Sequence, residues 1–135
     1  MDRELFDRAS GVRKNAHAPY SKFHVGAAIR TADGKVFAGA NVENASYPEG
    51  WCAETSAIAH MIAAAPVGPG RQIASVSVVA DRIDGRLTSP CGGCRQRLAE
   101  FASPETPVHI SDPSGATDTY TMRQLLPAAF SLEDS

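Results

Sequence analysis

The sequence predicts an α/β fold, a three-layer α/β/α sandwich built around a mixed five-stranded sheet. Segments with apolar residues at helical spacing are separated by short alternating or continuous apolar runs, which are typical of strands. The predicted order α-β-β-α-β-α-β-β-α places helices on both faces of one sheet. A length of 135 residues suits one hydrophobic core, so we expect a single domain over residues 1–135.

The composition narrows the class of protein. Hydrophobic residues make up 43% of the chain and charged residues 21%, as in ordinary globular proteins. No apolar run approaches the ~20 residues of a membrane helix, and the charged start MDRE lacks the apolar segment of a signal peptide. We therefore expect a cytoplasmic protein with reduced thiols. A net charge of −2 provides no basic surface for a phosphate backbone, which favours a small-molecule partner over nucleic acid.

An amphipathic helix is predicted near the start of the chain. Leu5, Ala9, Val12 and Ala16 recur at helical spacing, and Pro19 is expected to end the helix. Proline has no N–H to donate and its ring clashes with the preceding turn, so a helix rarely continues through it.

A β-hairpin and a loop are predicted to follow. Residues 23–30 alternate and predict the first strand, with Phe23 at its first inward position. A turn at 33–34 and a second arm at 36–40 complete the hairpin. The polar segment 41–50, which contains a proline and a glycine, is predicted as a loop.

Helices and strands alternate through the rest of the sequence. The composition predicts a helix over residues 52–65, which the segment PVGPG stops. The remaining predicted elements are a buried strand, a helix, two short strands and a closing helix, at residues 73–80, 91–101, 108–111, 117–120 and 122–126.

The three cysteines, Cys52, Cys91 and Cys94, occur in contexts that fit metal chemistry. Cys52 precedes Glu54 by two residues, and the other two cysteines form a Pro-Cys-x-x-Cys knuckle. Three thiolates leave the fourth position of a tetrahedral zinc ion open to water, as in catalytic zinc sites. A carboxylate beside that position can move protons in a hydrolytic deamination. The sequence therefore predicts a catalytic zinc site.

The predicted starts of two helices and the net charge of a zinc ion with three thiolates add detail to the predicted zinc site. Cys52 and Cys91 begin predicted helices, where free N–H groups and the helix dipole favour anionic sulfur. Cys52 and Glu54 converge only if Cys52 caps its helix, because positions i and i+2 of a helix point apart. Zinc with three thiolates has a surplus negative charge, so we expect a compensating guanidinium from Arg95 or Arg97.

A closed structural zinc site, with a histidine as the fourth ligand, is an alternative. His60 lies about 12 Å along the predicted helix from Cys52, too far to share its metal. His17, His24 and His109 remain open as ligands. A redox role for the CGGC knuckle is less favoured, since it leaves the first cysteine and the glutamate without a function.

Four stretches of the chain resemble the small, homotetrameric zinc cytidine deaminases. They are APYSKFHVGAA at 18–28, NVENASYP at 41–48, CAE at 52–54 and SPCGGCRQ at 89–96. The resemblance implies the cytidine deaminase-like fold, one catalytic domain over the chain, one Zn²⁺ per chain and a place in pyrimidine salvage. It also implies hydrolysis of cytidine and 2′-deoxycytidine to uridine and 2′-deoxyuridine, with release of ammonia, in which a zinc-activated hydroxide attacks C4 of the base.

The resemblance assigns the residues of the metal centre. Cys52, Cys91 and Cys94 are implied to be the zinc ligands, and Glu54 is implied to be the catalytic proton shuttle. The family usually has an arginine after Cys-Ala-Glu that hydrogen-bonds the thiolates. This chain has Thr55 there, so we expect compensation from elsewhere, with Arg95 the nearest candidate in sequence.

Substrate-binding residues are implied in the same way. Asn41 and Glu43 are implied to bind the ribose 3′-hydroxyl, and Phe23 to stack on the pyrimidine. The N–H of Ala53 is expected to face the oxygen of the base, and the carbonyl of Ser89 its amino group.

Two further residues are implied to join neighbouring chains. Tyr47 is expected to reach the sugar across a subunit interface, and Phe130 to enter a neighbouring subunit's site. The implied assembly is a homotetramer with shared active sites.

Three functions are alternatives to the deamination of cytidine. A deaminase of a modified cytosine nucleoside, such as blasticidin S, shares the same cysteine motifs, although the intact Asn-Val-Glu loop favours ordinary nucleosides. A nucleic-acid-editing deaminase is disfavoured because those enzymes commonly use histidine as first ligand. A binding module with a structural zinc site would have no use for the glutamate.

Overall fold

The computed structural model describes residues 2–132. Its helices are α1 Arg3–Arg13, α2 Ala53–Ala64, α3 Gly92–Ala99 and α4 Met122–Leu125. Its strands are β1 Val25–Thr31, β2 Val36–Ala40, β3 Ile73–Ala80, β4 Pro107–Ser111 and β5 Thr117–Thr121. The predicted order of elements is confirmed. No helix in this part of the chain combines the length and apolarity needed to cross a membrane.

The five strands form one mixed sheet in the order β2-β1-β3-β4-β5. All neighbouring strands are antiparallel except β3 and β4, which are parallel. The parallel pair requires a crossover, and α3 supplies it. The β1–β2 hairpin turns at Gly34, whose φ of 90° lies in the left-handed region that favours glycine.

Helices cover both faces of the sheet, as predicted. On one face, Leu5 and Ala9 of α1 pack in a cluster with Ala28 and Val79. On the other face, the larger cluster gathers apolar side chains of α2, α3 and α4 against the sheet. Because both faces are covered, β1 is buried almost continuously rather than in alternation.

The first helix is shorter than the spacing of its apolar residues predicts. It ends at Arg13 rather than near Pro19, so Ala16 lies outside it. The N–H of Ala16 bonds the carbonyl of Arg13 at 3.1 Å in a tight turn, and the N–H of His17 then bonds the carbonyl of Asn41 at 3.0 Å. This bond to a distant segment replaces the next helical bond, which sequence spacing does not reveal.

The first strand also begins later than predicted, at Val25 rather than Phe23. Lys22 has a positive φ of 62°, which turns the chain sharply just before Phe23. The side-chain amide of Asn41 then hydrogen-bonds the carbonyl of Phe23 and the N–H of Val25, where a neighbouring strand would otherwise supply the partners. Phe23 is therefore a half-buried loop residue, rather than the first inward residue of a strand.

Candidate active site

The three cysteines meet where α2 and α3 begin. Cys52 is the N-cap of α2 and Cys91 the N-cap of α3, while Cys94 lies in the first turn of α3. The sulfurs of Cys52 and Cys91 are 3.8 Å apart, and all three sulfurs lie within 4.8 Å of one another. Cys94 is completely buried. Two helix N-termini therefore point their free N–H groups at one cluster of sulfurs.

This cluster fits a zinc ion. Tetrahedral zinc with bonds of about 2.3 Å to sulfur separates its sulfurs by about 3.8 Å. Within residues 2–132, the group of side chains able to hold a metal contains the three cysteines and no histidine. The ring nitrogen of His109 bonds Thr119 instead, and the ring of His60 packs on Phe37. The alternative of a histidine as fourth ligand therefore receives no support.

A hydrogen bond between the thiols of Cys52 and Cys94 shifts their pKa values in opposite directions. This bond lowers the pKa of Cys52 against the opposing effects of burial and neighbouring charge. The same bond, with burial, raises the pKa of Cys94 above its ordinary value. A metal ion must displace the remaining protons to bind all three sulfurs, so its affinity falls at low pH.

Glu54 lies in the first turn of α2 and is only 4% exposed. It converges with Cys52 because the N-cap backbone is extended, at φ −73° and ψ 159°, as the sequence required. Burial raises the pKa of Glu54, while the sulfur of Cys94 and the charge of Arg97 act in the opposite direction. A carboxyl group with a raised pKa holds a proton more readily than an ordinary one, which suits it to proton transfer.

The guanidinium that makes a hydrogen bond to a cysteine sulfur is that of Arg97, not that of Arg95. Arg95 donates to the carbonyls of Pro90 and Leu125 and to the hydroxyl of Ser89, each at 2.8 Å. These three bonds tie Arg95 to the chain before α3 and to α4, and of the two expected arginines it is Arg97 that contacts a sulfur.

The sulfur of Cys94 also lies within hydrogen-bonding distance of Thr55 and Arg97. The hydroxyl of Thr55 lies 3.7 Å from its sulfur, and Nη1 of Arg97 lies 3.9 Å from it.

A cavity of about 610 Å³ opens beside the cysteines, a size typical of small-molecule sites. Most of the residues that the sequence singled out line it. They are Phe23, Asn41, Glu43, Tyr47, Cys52, Ala53, Glu54, Ser89 and Cys91. Phe130 does not line this cavity. Its carbonyl accepts a hydrogen bond from Gln96 at 3.2 Å, beside a separate depression.

Asn41 makes two hydrogen bonds that order the cavity wall. Its Nδ2 donates to the carbonyl of Phe23 at 2.8 Å, and its Oδ1 accepts from the N–H of Val25 at 2.9 Å. The side chain thus fixes the backbone on either side of the turn that presents Phe23. The sequence indicated a sugar-binding role for Asn41 but not this bracing one.

Glu43 is held in the same wall by three donors. Its carboxylate accepts from the N–H of Tyr20 at 3.0 Å, from the N–H of Ser21 at 3.1 Å and from the Ser21 hydroxyl. These bonds, the Ser21 hydroxyl first, lower the pKa of Glu43. The carboxylate is therefore held in a fixed position at the cavity as a hydrogen-bond acceptor.

Sequence reasoning missed two aromatic residues at the mouth of the cavity. Tyr20 and Trp51 both line it and are each 51% exposed. The ring of Tyr20 lies edge-on to that of Tyr47, with centroids 6.1 Å apart. The signal that could have identified Trp51 is its position directly before the first cysteine.

A family model described as the cytidine and deoxycytidylate deaminase zinc-binding region matches residues 1–110. The chain belongs to the cytidine and deoxycytidylate deaminase family. It is a zinc-dependent hydrolytic deaminase, and its three cysteines are the residues that fit one zinc ion per chain.

Relatives and solved structures agree with this family over nearly the whole chain. A cytidine deaminase of Halalkalibacterium halodurans is 41% identical over 135 residues, which cover 99% of this chain and 98% of the relative. One from Sporosarcina psychrophila is 40% identical, covering 99% of this chain and 95% of the relative. The cytidine deaminase structure from Burkholderia pseudomallei matches with a TM-score of 0.86 at 39% identity, covering 96% of this chain and 99% of that one. Nothing in these comparisons supports the blasticidin S alternative.

Proposed function

We propose that the protein hydrolyses cytidine and 2′-deoxycytidine to uridine and 2′-deoxyuridine, releasing ammonia. The observation that carries this proposal is the buried carboxyl group of Glu54 beside three sulfurs that leave one zinc position free. A structural zinc site needs no such group, and burying a carboxyl group costs stability. The related cytidine deaminases of similar length support the choice of substrate.

The residues of the chain divide the reaction between them. Zinc held by Cys52, Cys91 and Cys94 would lower the pKa of a water molecule and so supply a nucleophile near neutral pH. Glu54 takes a proton from the attacking water and passes it to the ring nitrogen N3 as the oxygen adds to C4 of the base. Glu54 then moves the second proton to the amino group, the C4–N bond breaks, and ammonia leaves.

The cavity wall supplies groups for binding a nucleoside. The ring of Phe23 offers a face for the pyrimidine, and the fixed carboxylate of Glu43 accepts from a ribose hydroxyl. Asn41 contributes to the same sugar end while it braces Phe23. The N–H of Ala53 and the carbonyl of Ser89, both at the cavity, would read the oxygen and the amino group of cytosine.

The proposal extends to assembly and cellular role. We infer a homotetramer with shared sites, in which Tyr47 and Phe130 contact a neighbouring chain's substrate. The strong exposure of both side chains, 73% and 69%, supports this. We further infer that residues 1–135 form one catalytic domain that acts in pyrimidine salvage in the cytoplasm.

Loss of cytidine absorbance in the ultraviolet tests the activity. We expect wild-type protein to deaminate cytidine and the Glu54→Gln variant to lose at least about 10²-fold in kcat, because its amide cannot carry protons. The Glu100→Gln variant, which changes an exposed glutamate at the end of α3, is the matched control and should retain activity.

Zinc content separates the enzyme from a metal-binding module. Wild-type protein and Glu54→Gln should both hold one zinc ion per chain, because Glu54 is not a ligand. If zinc-loaded wild-type protein and the variant are equally inactive on cytidine and deoxycytidine, the proposed substrates are wrong and the proposal fails.

A further inference from the structure

The metal centre has a charge that its ligands do not balance. Three thiolates carry one more negative charge than Zn²⁺ can neutralise. The N-termini of α2 and α3 each contribute about half a positive charge, which is spread over several backbone N–H groups. A guanidinium held against one of the sulfurs adds a localised positive charge beside a thiolate.

Arg97 is the residue that brings such a charge to the cluster. Its Nη1 lies 3.9 Å from the sulfur of Cys94. Cys94 is completely buried, so water cannot solvate this sulfur in place of the guanidinium. Among residues 2–132, the other guanidinium of α3, on Arg95, is committed to oxygen atoms.

The direction of the Arg97 side chain argues against a purely helix-stabilising role. Arg97 lies in the last turn of α3, where a cation ordinarily interacts with the free carbonyls at the C-terminus. Its guanidinium instead turns back toward the helix start and lies over Gly93. A Cβ on Gly93 would be 3.0 Å from Nη1 of Arg97, so glycine provides the space for this conformation.

We propose that Arg97 is a positioning residue of the zinc centre, whose guanidinium donates to Cys94 and offsets the surplus negative charge of the thiolates. This inference rests on the proposed zinc site. Formation of the site creates a net negative charge, which a nearby cation stabilises, so Arg97 strengthens zinc binding. Donation to the sulfur also withdraws electron density from it, which leaves the metal a stronger Lewis acid.

The test measures zinc affinity by competition with a chromophoric chelator at fixed pH. Loss of a group that hydrogen-bonds a ligand typically weakens metal binding about 10–100-fold. Arg97 is an exposed residue, so screening by water places the expected loss for Arg97→Gln near tenfold. Arg97→Lys, which keeps the charge, should stay within about threefold of wild type.

A matched control and a spectroscopic readout accompany this series. Arg8→Gln removes the same charge from an exposed position on α1, across the sheet from the site, and should bind zinc as wild type does. In cobalt-substituted protein, Arg97→Gln should shift the sulfur-to-metal charge-transfer band to lower energy, because a sulfur without its donor is more electron-rich.

Unchanged zinc affinity in Arg97→Gln overturns the inference, as does an Arg97→Lys variant that loses as much affinity as Arg97→Gln. Far-ultraviolet circular dichroism should show that all three variants keep their helices, since the substituted side chains are exposed. These measurements need no turnover. A protein that is inactive on cytidine but loses zinc in Arg97→Gln would refute the proposed substrate and leave this inference standing.

Discussion

Burial of Glu54 suits this residue to proton transfer but lowers the stability of the folded protein. Burial raises its pKa because the charged form is poorly solvated. At neutral pH, above the pKa of an ordinary carboxyl group, the folded protein therefore bears a penalty that the unfolded chain does not. The Glu54→Gln variant, which removes the charge, should lose turnover without losing thermal stability.

Cys91 provides a second test at the residue scale. We expect Cys91→Ser to lose zinc, because a serine hydroxyl stays protonated and is a poor zinc ligand. Zinc binding stabilises the folded state, by about 4 kcal/mol when free zinc is 1,000 times its Kd, so the variant should melt at a lower temperature. Serine is a favoured N-cap residue, so the change should not itself weaken α3.

Metal analysis and thermal melting, with and without a chelator, check this prediction. Chelator-treated wild-type protein is the control, and it should melt close to the variant. A Cys91→Ser protein that keeps its zinc and melts as wild type does would show that this sulfur is not a ligand.

At the scale of elements, the site depends on how closely the helices approach the sheet. A Cβ on Gly26 of β1 would lie 2.0 Å from the carbonyl oxygen of Ala9 in α1. On the opposite face, a Cβ on Gly39 of β2 would lie 2.4 Å from the backbone nitrogen of Ala57 in α2. Glycine at these positions lets both helices pack directly on the strands, which sets the depth of α2 and its first turn.

Two single glycine-to-alanine variants distinguish the effect of this close packing on stability from the effect of helix propensity. We expect Gly26→Ala to destabilise the fold by about 1–3 kcal/mol or more, because neither backbone can move aside easily. Gly11→Ala is the control, since beyond the adjoining backbone of α1 no atom lies within 4 Å of the added Cβ on this exposed face. It should stabilise by about 0.5–1 kcal/mol, because alanine favours a helix.

Urea denaturation measures both free energies of unfolding. If Gly26→Ala unfolds at the same urea concentration as wild type, the close contact between α1 and β1 does not determine stability.

On the scale of the whole molecule, several aromatic residues around the cavity are left exposed to solvent by the single chain. Tyr20, Tyr47 and Trp51 are half or more exposed around its mouth, and Phe130 is exposed elsewhere. This arrangement suits a site completed by a neighbouring copy of the chain, as proposed above.

Mixed oligomers test whether Phe130 acts in a neighbouring site. We expect Phe130→Ala to lose about tenfold in kcat/KM through the missing aromatic contact, and Glu54→Gln to be nearly inactive. Differently tagged copies of the two variants, co-expressed and purified through both tags, should regain roughly a quarter of wild-type activity if pairing is random. An intact Glu54 in one chain then meets an intact Phe130 from another.

A matched mixture of wild type and Glu54→Gln measures the dilution effect alone. Doubly tagged oligomers of the two variants with no recovered activity would place Phe130 in the site of its own chain or outside any site.

Local patterns predicted most of the fold and the metal centre. The hairpin, the buried strand and the helix starts at Cys52 and Cys91 follow from spacing, turn residues and composition over short windows. The end of α1 and the start of β1 did not, because hydrogen bonds to Asn41, a residue far along the chain, decide both. The roles of individual binding residues stay predictions.

The sequence by itself determined the chemistry of the site, since three thiols and a carboxyl group at predicted helix starts are the residue types of a catalytic zinc centre. Only the tertiary structure decided which arginine serves that centre. Arg95 is nearer to the cysteines in sequence than Arg97, yet Arg95 bonds oxygen atoms of Pro90 and Leu125 while Arg97 reaches the sulfur of Cys94. Long flexible side chains choose their partners by proximity in space, and that proximity exists only after distant segments have packed together.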